Sequence, residues 1–223
     1  MKGNSYYSRK LHSLLGVIPL SLFFISHLLT NFSAVEGGAE RFKSAVTFIN
    51  SLPLVVVLEI VVIWLPILFH GIYGLYIAFQ SNINTGQFKY GRNWAFALQR
   101  ISGVITFIFV FWHVYQTRWQ VLIGNETHEG LGVVMHEIAS NGFYLALYVI
   151  GIIASVFHFS NGLWAFLVSW GITVSPGAQR VSSYICMVIF VIVSAMFLST
   201  IFVFRGDEFG EVSAALQSVL NIG

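Results

Sequence analysis

The stretch IVVIWLPILFHGIYGLYIAF, Ile60 to Phe79, is twenty residues long and carries no formal charge. A helix needs about 20 consecutive apolar residues to cross the hydrocarbon core of a bilayer. A strand of a membrane barrel would alternate apolar and polar positions, and this stretch does not. Four more uncharged apolar runs follow the same pattern: Leu14–Thr30, Ile101–Thr117, Gly142–Ser169 and Val181–Phe204. In lipid every backbone donor and acceptor must be satisfied internally, so runs of this kind become helices. The composition agrees. The 223 residues are 57% hydrophobic and 9% charged, with a mean hydropathy of +0.79, whereas a soluble domain carries about 25% charged residues. The expectation is an all-α membrane protein of five transmembrane helices, with spans near 12–33, 53–80, 99–119, 141–170 and 181–204. No Pro/Gly/Ser-rich linker divides the chain, so residues 1–223 read as one domain. The first run is too long for a signal peptide, contains His27 and is followed by no small-residue cleavage site.

Charge gives the orientation. Lys2, Arg9, Lys10, Lys89, Arg92, Arg100 and Arg180 fall on one set of span ends, where no Asp or Glu occurs. The other set holds Arg41, Lys43, Arg118 and Arg205, and all nine acidic residues lie there or, for Glu59, just inside the second span. The positive-inside rule then puts the N-terminus in the cytoplasm and the C-terminus outside. The net charge of +2 gives no basic surface for nucleic acid. Between spans, Glu40–Asn50 places Phe42, Val46 and Ile49 at helical spacing and reads as a short helix in the outer interface, as does Phe209–Leu220. The remaining connections are a polar outer segment Ala34–Ser51, a cytoplasmic loop Gln80–Gln99, an outer loop Arg118–Asn141 and a short cytoplasmic loop Gly171–Arg180.

His70 sits in a phrase that recurs. LFHGIYGLYIAF (Leu68–Phe79) and VFHFSNGLWAF (Val156–Phe166) both read Phe-His, three residues, Gly-Leu. The spans before them match as well: a basic residue, Ser, Gly, a long apolar stretch, then His27 or His113. His27 and His70 are 43 residues apart, His113 and His158 are 45. The chain reads as two copies of a two-helix unit, forming a four-helix bundle, plus a fifth helix.

Each of the first four spans thus carries one histidine, and ionisable residues within a span are functional suspects. At a rise of 1.5 Å per residue, His27 lies roughly 24 Å and His113 roughly 21 Å from the cytoplasmic end of their spans, against about 14 Å for His70 and about 17 Å for His158. This groups His27 with His113 toward the outer side and His70 with His158 toward the inner side. Two pairs, each from two helices, are what two bis-imidazole haems need. The single Cys186 cannot make a Cys-x-x-Cys-His attachment, so both haems would be b-type. Gly74 and Gly162, four residues beyond His70 and His158, share their helix face and leave room for a porphyrin edge. Gly16 and Gly103, about three turns before His27 and His113, lie on those histidines' face and would admit the other haem.

His128 and His136 fall in the outer loop and read as solvated. His12, at the inner surface, is placed to meet a propionate, a quinone or a partner. Glu59 is a carboxylate at a span entrance and a candidate for proton exchange at an outer quinone site. Ser13 and Ser102 are candidate propionate or carbonyl partners, and Arg9, Lys10, Arg100 and Arg180 are candidate propionate partners that snorkelling explains equally well.

The phrases LHSLLGVIPL (Leu11–Leu20), LEIVVIWLPILFHGIYGLYIAF (Leu58–Phe79), RNWAFALQRISGVITFIFVFWHV (Arg92–Val114) and FHFSNGLWAFLVSWGITVSP (Phe157–Pro176) together resemble the single-chain di-haem cytochrome b subunit of succinate:menaquinone oxidoreductase, of the type found in Gram-positive bacteria. The resemblance covers Ser8 to Phe204. It implies a multi-pass anchor in the bacterial cytoplasmic membrane, carrying a flavoprotein subunit and an iron–sulfur subunit on the cytoplasmic side. It also implies that His70 and His158 hold an inner, high-potential haem, and that His27 and His113 hold an outer, low-potential haem near a menaquinone site. The tail after Phe204 runs beyond the part of the chain that matches.

The mechanism expected is electron transfer from the iron–sulfur partner through two haems to menaquinone, with protons taken from outside. The chain has no flavin fingerprint and no cysteine set, so succinate chemistry is not its own. Two alternatives stand beside this reading. One is the cytochrome b anchor of another quinone-linked complex, of hydrogenase or formate dehydrogenase type. The other is a haem-free transporter using the histidines as a proton relay.

Overall fold

The computed structural model describes residues 2–81, 85–86, 90–128 and 130–210, and those residues form helices and turns with no strand. Five helices are long and apolar enough to cross a membrane. Helix α1 runs Lys2–Asn50. Span 2 is composite: α2 (Val55–Leu58), a π-helix (Glu59–Trp64) and α3 (Leu65–Phe79). The third span is α4 (Gly91–Gln116), continued by the short α5 (Arg118–Leu122); α7 (Gly142–Ser169) and α8 (Pro176–Val203) are the fourth and fifth. The connection between the third and fourth spans also holds α6 (Leu131–Ser140).

The span count agrees with the sequence reading; the ends do not. α4 begins at Gly91 and α8 at Pro176, well ahead of the charged residues that bounded the apolar runs. A charge ends the stretch that suits hydrocarbon, but Arg is a good helix former and the helix continues through it. The cytoplasmic loop expected over Gln80–Gln99 therefore shrinks, and Lys89 within it lies outside the described residues. The loop expected over Arg118–Asn141 is not a plain loop, because α5 and α6 occupy much of it. The helix expected over Phe209–Leu220 falls mostly beyond residue 210, outside the description.

α1 is two helices joined at Gly37–Gly38. Gly38 has φ 66°, a left-handed conformation that costs glycine nothing. Here the chain turns off the span, and the Glu208 carboxylate lies against Gly38 where a Cβ would go. Its Oε2 accepts the Ala39 N–H at 3.4 Å, capping the second segment. That segment is the helix expected over Glu40–Asn50, but it is not simply interfacial. Phe42 and Val46 are buried, and Phe42 meets Phe204 edge-on at 5.0 Å, which in turn meets Phe209 at 4.9 Å.

The π-turn in span 2 has a local cause. Pro66 lacks an N–H, and its ring would crowd the carbonyl four residues back. The helix widens just before it, and Leu65 N–H reaches five residues back to Ile60 O.

The chain divides into two compact units. The first comprises Met1–Ile25, Val56–Ile108 and Ile153–Val193; the second comprises Ser26–Val55, Phe109–Ile152 and Ser194–Gly223. The boundaries cut α1, α4, α7 and α8, so each unit takes part of the same four helices. His70 and His158 belong to the first unit, His27 and His113 to the second.

Candidate functional site

In the first unit α3 and α7 bring His70 and His158 together. Their ring centroids are 6.1 Å apart and the planes are 77° apart. Each ring is held from behind by the main chain of another helix. His70 Nδ1 is 2.9 Å from the carbonyl of His12 on α1, and His158 Nδ1 is 3.0 Å from the carbonyl of Gln99 on α4. A carbonyl only accepts, so each Nδ1 carries the proton and each Nε2 is left with a free lone pair. Gln99 Nε2 also lies 3.2 Å from His158 Nδ1. Two donors cannot bond, and the amide has better partners: it donates to His158 O at 3.0 Å, while its Oε1 accepts from Asn161 at 2.7 Å.

The repeat explains this symmetry. His12 and Gln99 each stand four residues before a glycine, Gly16 or Gly103. A Cβ on Gly16 would overlap the His70 ring, and one on Gly103 would come within 2.8 Å of His158 Cε1. These glycines are where an imidazole from the next helix lies against the backbone. Gly74 and Gly162 face the same two repeat positions: a Cβ there would lie 3.0 Å from His12 Nε2 and 3.2 Å from Gln99 Nε2. His12 itself stacks on His70, with centroids 4.1 Å apart and planes 6° apart.

In the second unit α1 and α4 bring His27 and His113 together, with centroids 5.8 Å apart and planes at 76°. Here the supports are side chains. His113 Nδ1 lies 3.2 Å from the Tyr148 hydroxyl on α7, which donates onward to Gln116 Oε1 at 3.4 Å. Tyr148 is buried. Asn31 Nδ2 lies 3.4 Å from His27 Nδ1 and donates to His27 O at 2.8 Å. Gln116 also lines a cavity of about 430 Å³ in this unit, together with Glu137, Asn141 and Tyr144.

Among the described residues no group of three or more His, Cys, Asp or Glu gathers; these histidines come in twos. A bound imidazole nitrogen sits about 2 Å from its metal, so two rings on opposite sides of one ion have centroids roughly 6 Å apart. Both pairs match that spacing. Haem supplies the remaining four iron ligands itself, so a pair is a complete protein contribution. The donor set, the spacing and the fixed tautomers of His70 and His158 fit haem.

The other marked residues are engaged locally. Ser13 Oγ accepts from Trp170 Nε1 at 3.3 Å, and buried Ser102 donates to Gln99 O at 3.2 Å. Lys10 Nζ donates to Ser169 O at 2.6 Å, and Arg100 bonds Ser81 Oγ and Phe96 O. Glu59 opens the π-turn of span 2 in the first unit. His136 is not solvated: its Nδ1 donates to Phe204 O at 2.9 Å. The supporting groups at residues 12, 99, 31, 116 and 148 were not read from sequence. For His12 and Gln99 the signal existed, since aligning Gly16 with Gly103 makes them equivalent.

The family of succinate dehydrogenase/fumarate reductase transmembrane subunits matches residues 81–198. The succinate dehydrogenase cytochrome b558 subunit of Bacillus subtilis is 49% identical over 205 residues, which are 92% of this chain and all of that protein. The chain belongs to this family. As a transmembrane subunit of that family it is not the anchor of a hydrogenase or formate dehydrogenase, and its five apolar helices have their role in the membrane.

Proposed function

We propose that the chain is the membrane anchor and electron-carrying subunit of a bacterial succinate dehydrogenase, with one b haem held by His70 and His158 and a second by His27 and His113. The single observation that carries this is the pair of histidine pairs, each with centroids near 6 Å. The Bacillus subtilis relative, a succinate dehydrogenase cytochrome b558 subunit, supports the complex and the haem type. When bound, each haem supplies a one-electron iron couple. The chain's part is to hold and tune. Nε2 of each histidine would bind the iron, and the carbonyls of His12 and Gln99 would keep the first pair neutral and oriented. The Tyr148 hydroxyl does the same for His113.

On this reading the chain docks flavoprotein and iron–sulfur subunits on the cytoplasmic side, where the N-terminus lies. With His70/His158 and His27/His113 each holding a haem, the two pairs would supply one-electron carriers between the iron–sulfur partner and menaquinone. The cavity lined by Gln116, Glu137 and Tyr144 suits the quinone head group, since ligand pockets run from about 300 to 1,000 Å³. Gln116 links it to His113 through Tyr148, and Glu137 supplies a carboxylate for proton exchange. Glu59 is a second proton group, at the entrance of span 2.

A reduced-minus-oxidised visible spectrum with a pyridine haemochrome assay tests the reading. Two b haems per chain are expected, falling to one in His158→Ala and in His113→Ala. A folded chain that binds no haem, though haem is supplied, would end the cytochrome reading.

A further inference from the structure

We infer that the first unit carries a binding site for the phosphate head group of an anionic phospholipid, formed by Arg92 and Arg180. The two residues line a cavity of about 400 Å³ with Asn161, Trp164, Gln179 and Tyr184. Arg92 lies at the start of α4 and Arg180 in the second turn of α8, so both helix N-termini add positive potential.

The charge around the cavity favours an anion. The first unit contains seven Lys and Arg and a single acid, Glu59, and Glu59 does not line the cavity. Among the described residues neither Arg92 nor Arg180 meets a carboxylate; the ion pair of Arg41 with Glu36 belongs to the second unit. The wall is fixed rather than floppy. Trp164 Nε1 donates to Gln179 O at 2.9 Å, and the Arg92 guanidinium sits over the Trp164 ring, 5.9 Å from its centroid.

The shape selects a lipid. Tyr184 lines the cavity and is exposed, and the same helix presents exposed Val181, Ile185 and Val188 beside it. A polar, cationic head end thus continues into an apolar wall, as an amphiphile requires and a free phosphate does not. Basic pockets between membrane helices take anionic head groups in this way. The site also reaches the redox centre: Asn161 lines the cavity and donates to Gln99 Oε1, while the Gln99 amide holds the carbonyl of His158.

The test is native mass spectrometry of the full chain taken from nanodiscs containing equal phosphatidylglycerol and phosphatidylcholine. At least a fivefold excess of retained phosphatidylglycerol is expected, undiminished by millimolar inorganic phosphate. The excess should vanish in Arg92→Gln/Arg180→Gln, return in Arg92→Lys/Arg180→Lys, and survive in Arg205→Gln of the second unit. Equal retention of both lipids overturns the inference, as does displacement by inorganic phosphate, which would mark a free-anion site. It is also overturned if the double Gln variant keeps the lipid preference but releases partner subunits from membranes, which would assign the arginines to a protein contact.

Discussion

The two histidine pairs have nearly the same spacing and angle, yet they are supported differently. Behind His70 and His158 stand main-chain carbonyls; behind His113 stands the hydroxyl of Tyr148, and beside His27 the amide of Asn31. A carbonyl on a helix remains whatever side chain its residue carries. A hydroxyl can be removed by one substitution. The first pair is therefore fixed by backbone approach, which glycine permits, and the second by side-chain chemistry. The same repeat has arrived at one ring-pair geometry by two routes, and the routes predict different vulnerabilities.

The largest effect should come from filling the backbone approach. Gly16→Ala puts a methyl group into the His70 ring. His70 cannot yield without losing the His12 carbonyl, so the b haem of this pair should be lost, leaving about half the haemochrome signal and a spectrum from the other pair alone. Gly103→Ala, with its Cβ 2.8 Å from His158 Cε1, should weaken the same haem less. Retention of both haems in Gly16→Ala would show that the ring moves freely and that the backbone route is wrong. Next in size is Tyr148→Phe. Removing the acceptor makes His113 a poorer donor to iron, which disfavours the oxidised state. A hydrogen bond worth about 1 kcal/mol corresponds to roughly 40 mV for one electron. Redox titration should show one haem rising by that order and the other unmoved. Equal shifts in both would break the contrast.

Much of this was legible in sequence, and for physical reasons. Five apolar runs gave five spans because length and charge are one-dimensional properties. The histidines that helical rise groups by depth are the ones whose rings lie near each other in the structure. What was missed depends on a neighbouring chain. Gly16 could be placed on a face, but only the fold shows that the ring lying on it is His70, not a group bound to its own helix's His27. Tyr148 is one of many aromatics in an apolar helix, and nothing local marks it as a ligand's support. The π-turn needed Pro66 to be weighed with the residues before it. α6 went unread because ten residues are too few for a span, although Gly132, Met135, Ile138 and Ala139 trace a buried stripe at helical spacing.

A finer test of the backbone route is Gln99→Leu. The substitution removes the side-chain amide that donates to His158 O and the acceptor for Asn161, but it leaves the Gln99 carbonyl that orders the His158 ring. Haem content should stay at two per chain, and the potential of the first pair should move by less than Tyr148→Phe moves the second. A larger shift would mean that the side chain, not the main chain, sets the first pair.

The smallest effect concerns the connection between the second unit's α5 and α6. Burial, and then the Glu137 carboxylate, raise the Glu126 carboxyl above its ordinary value, while a hydrogen bond with the Thr127 backbone works against them. A raised value means the folded chain binds this proton more tightly than the unfolded chain does. That contribution is full below the ordinary carboxylate range and is lost as pH rises through the raised value. At neutral pH an ionised Glu126 therefore costs stability, and Glu126→Gln should stabilise the fold near pH 7 by no more than about 0.5 kcal/mol for a group this open to solvent, read as a small rise in Tm. Near pH 4 it should change nothing. Glu137→Gln relieves the same repulsion, but Glu137 lines the cavity proposed for quinone, so this variant should gain stability and lose quinone-reductase activity together. If Glu126→Gln lost that activity as well, the two carboxylates would form one proton path rather than a site and its neighbour. An equal gain in Tm at both pH values would instead make the effect one of packing.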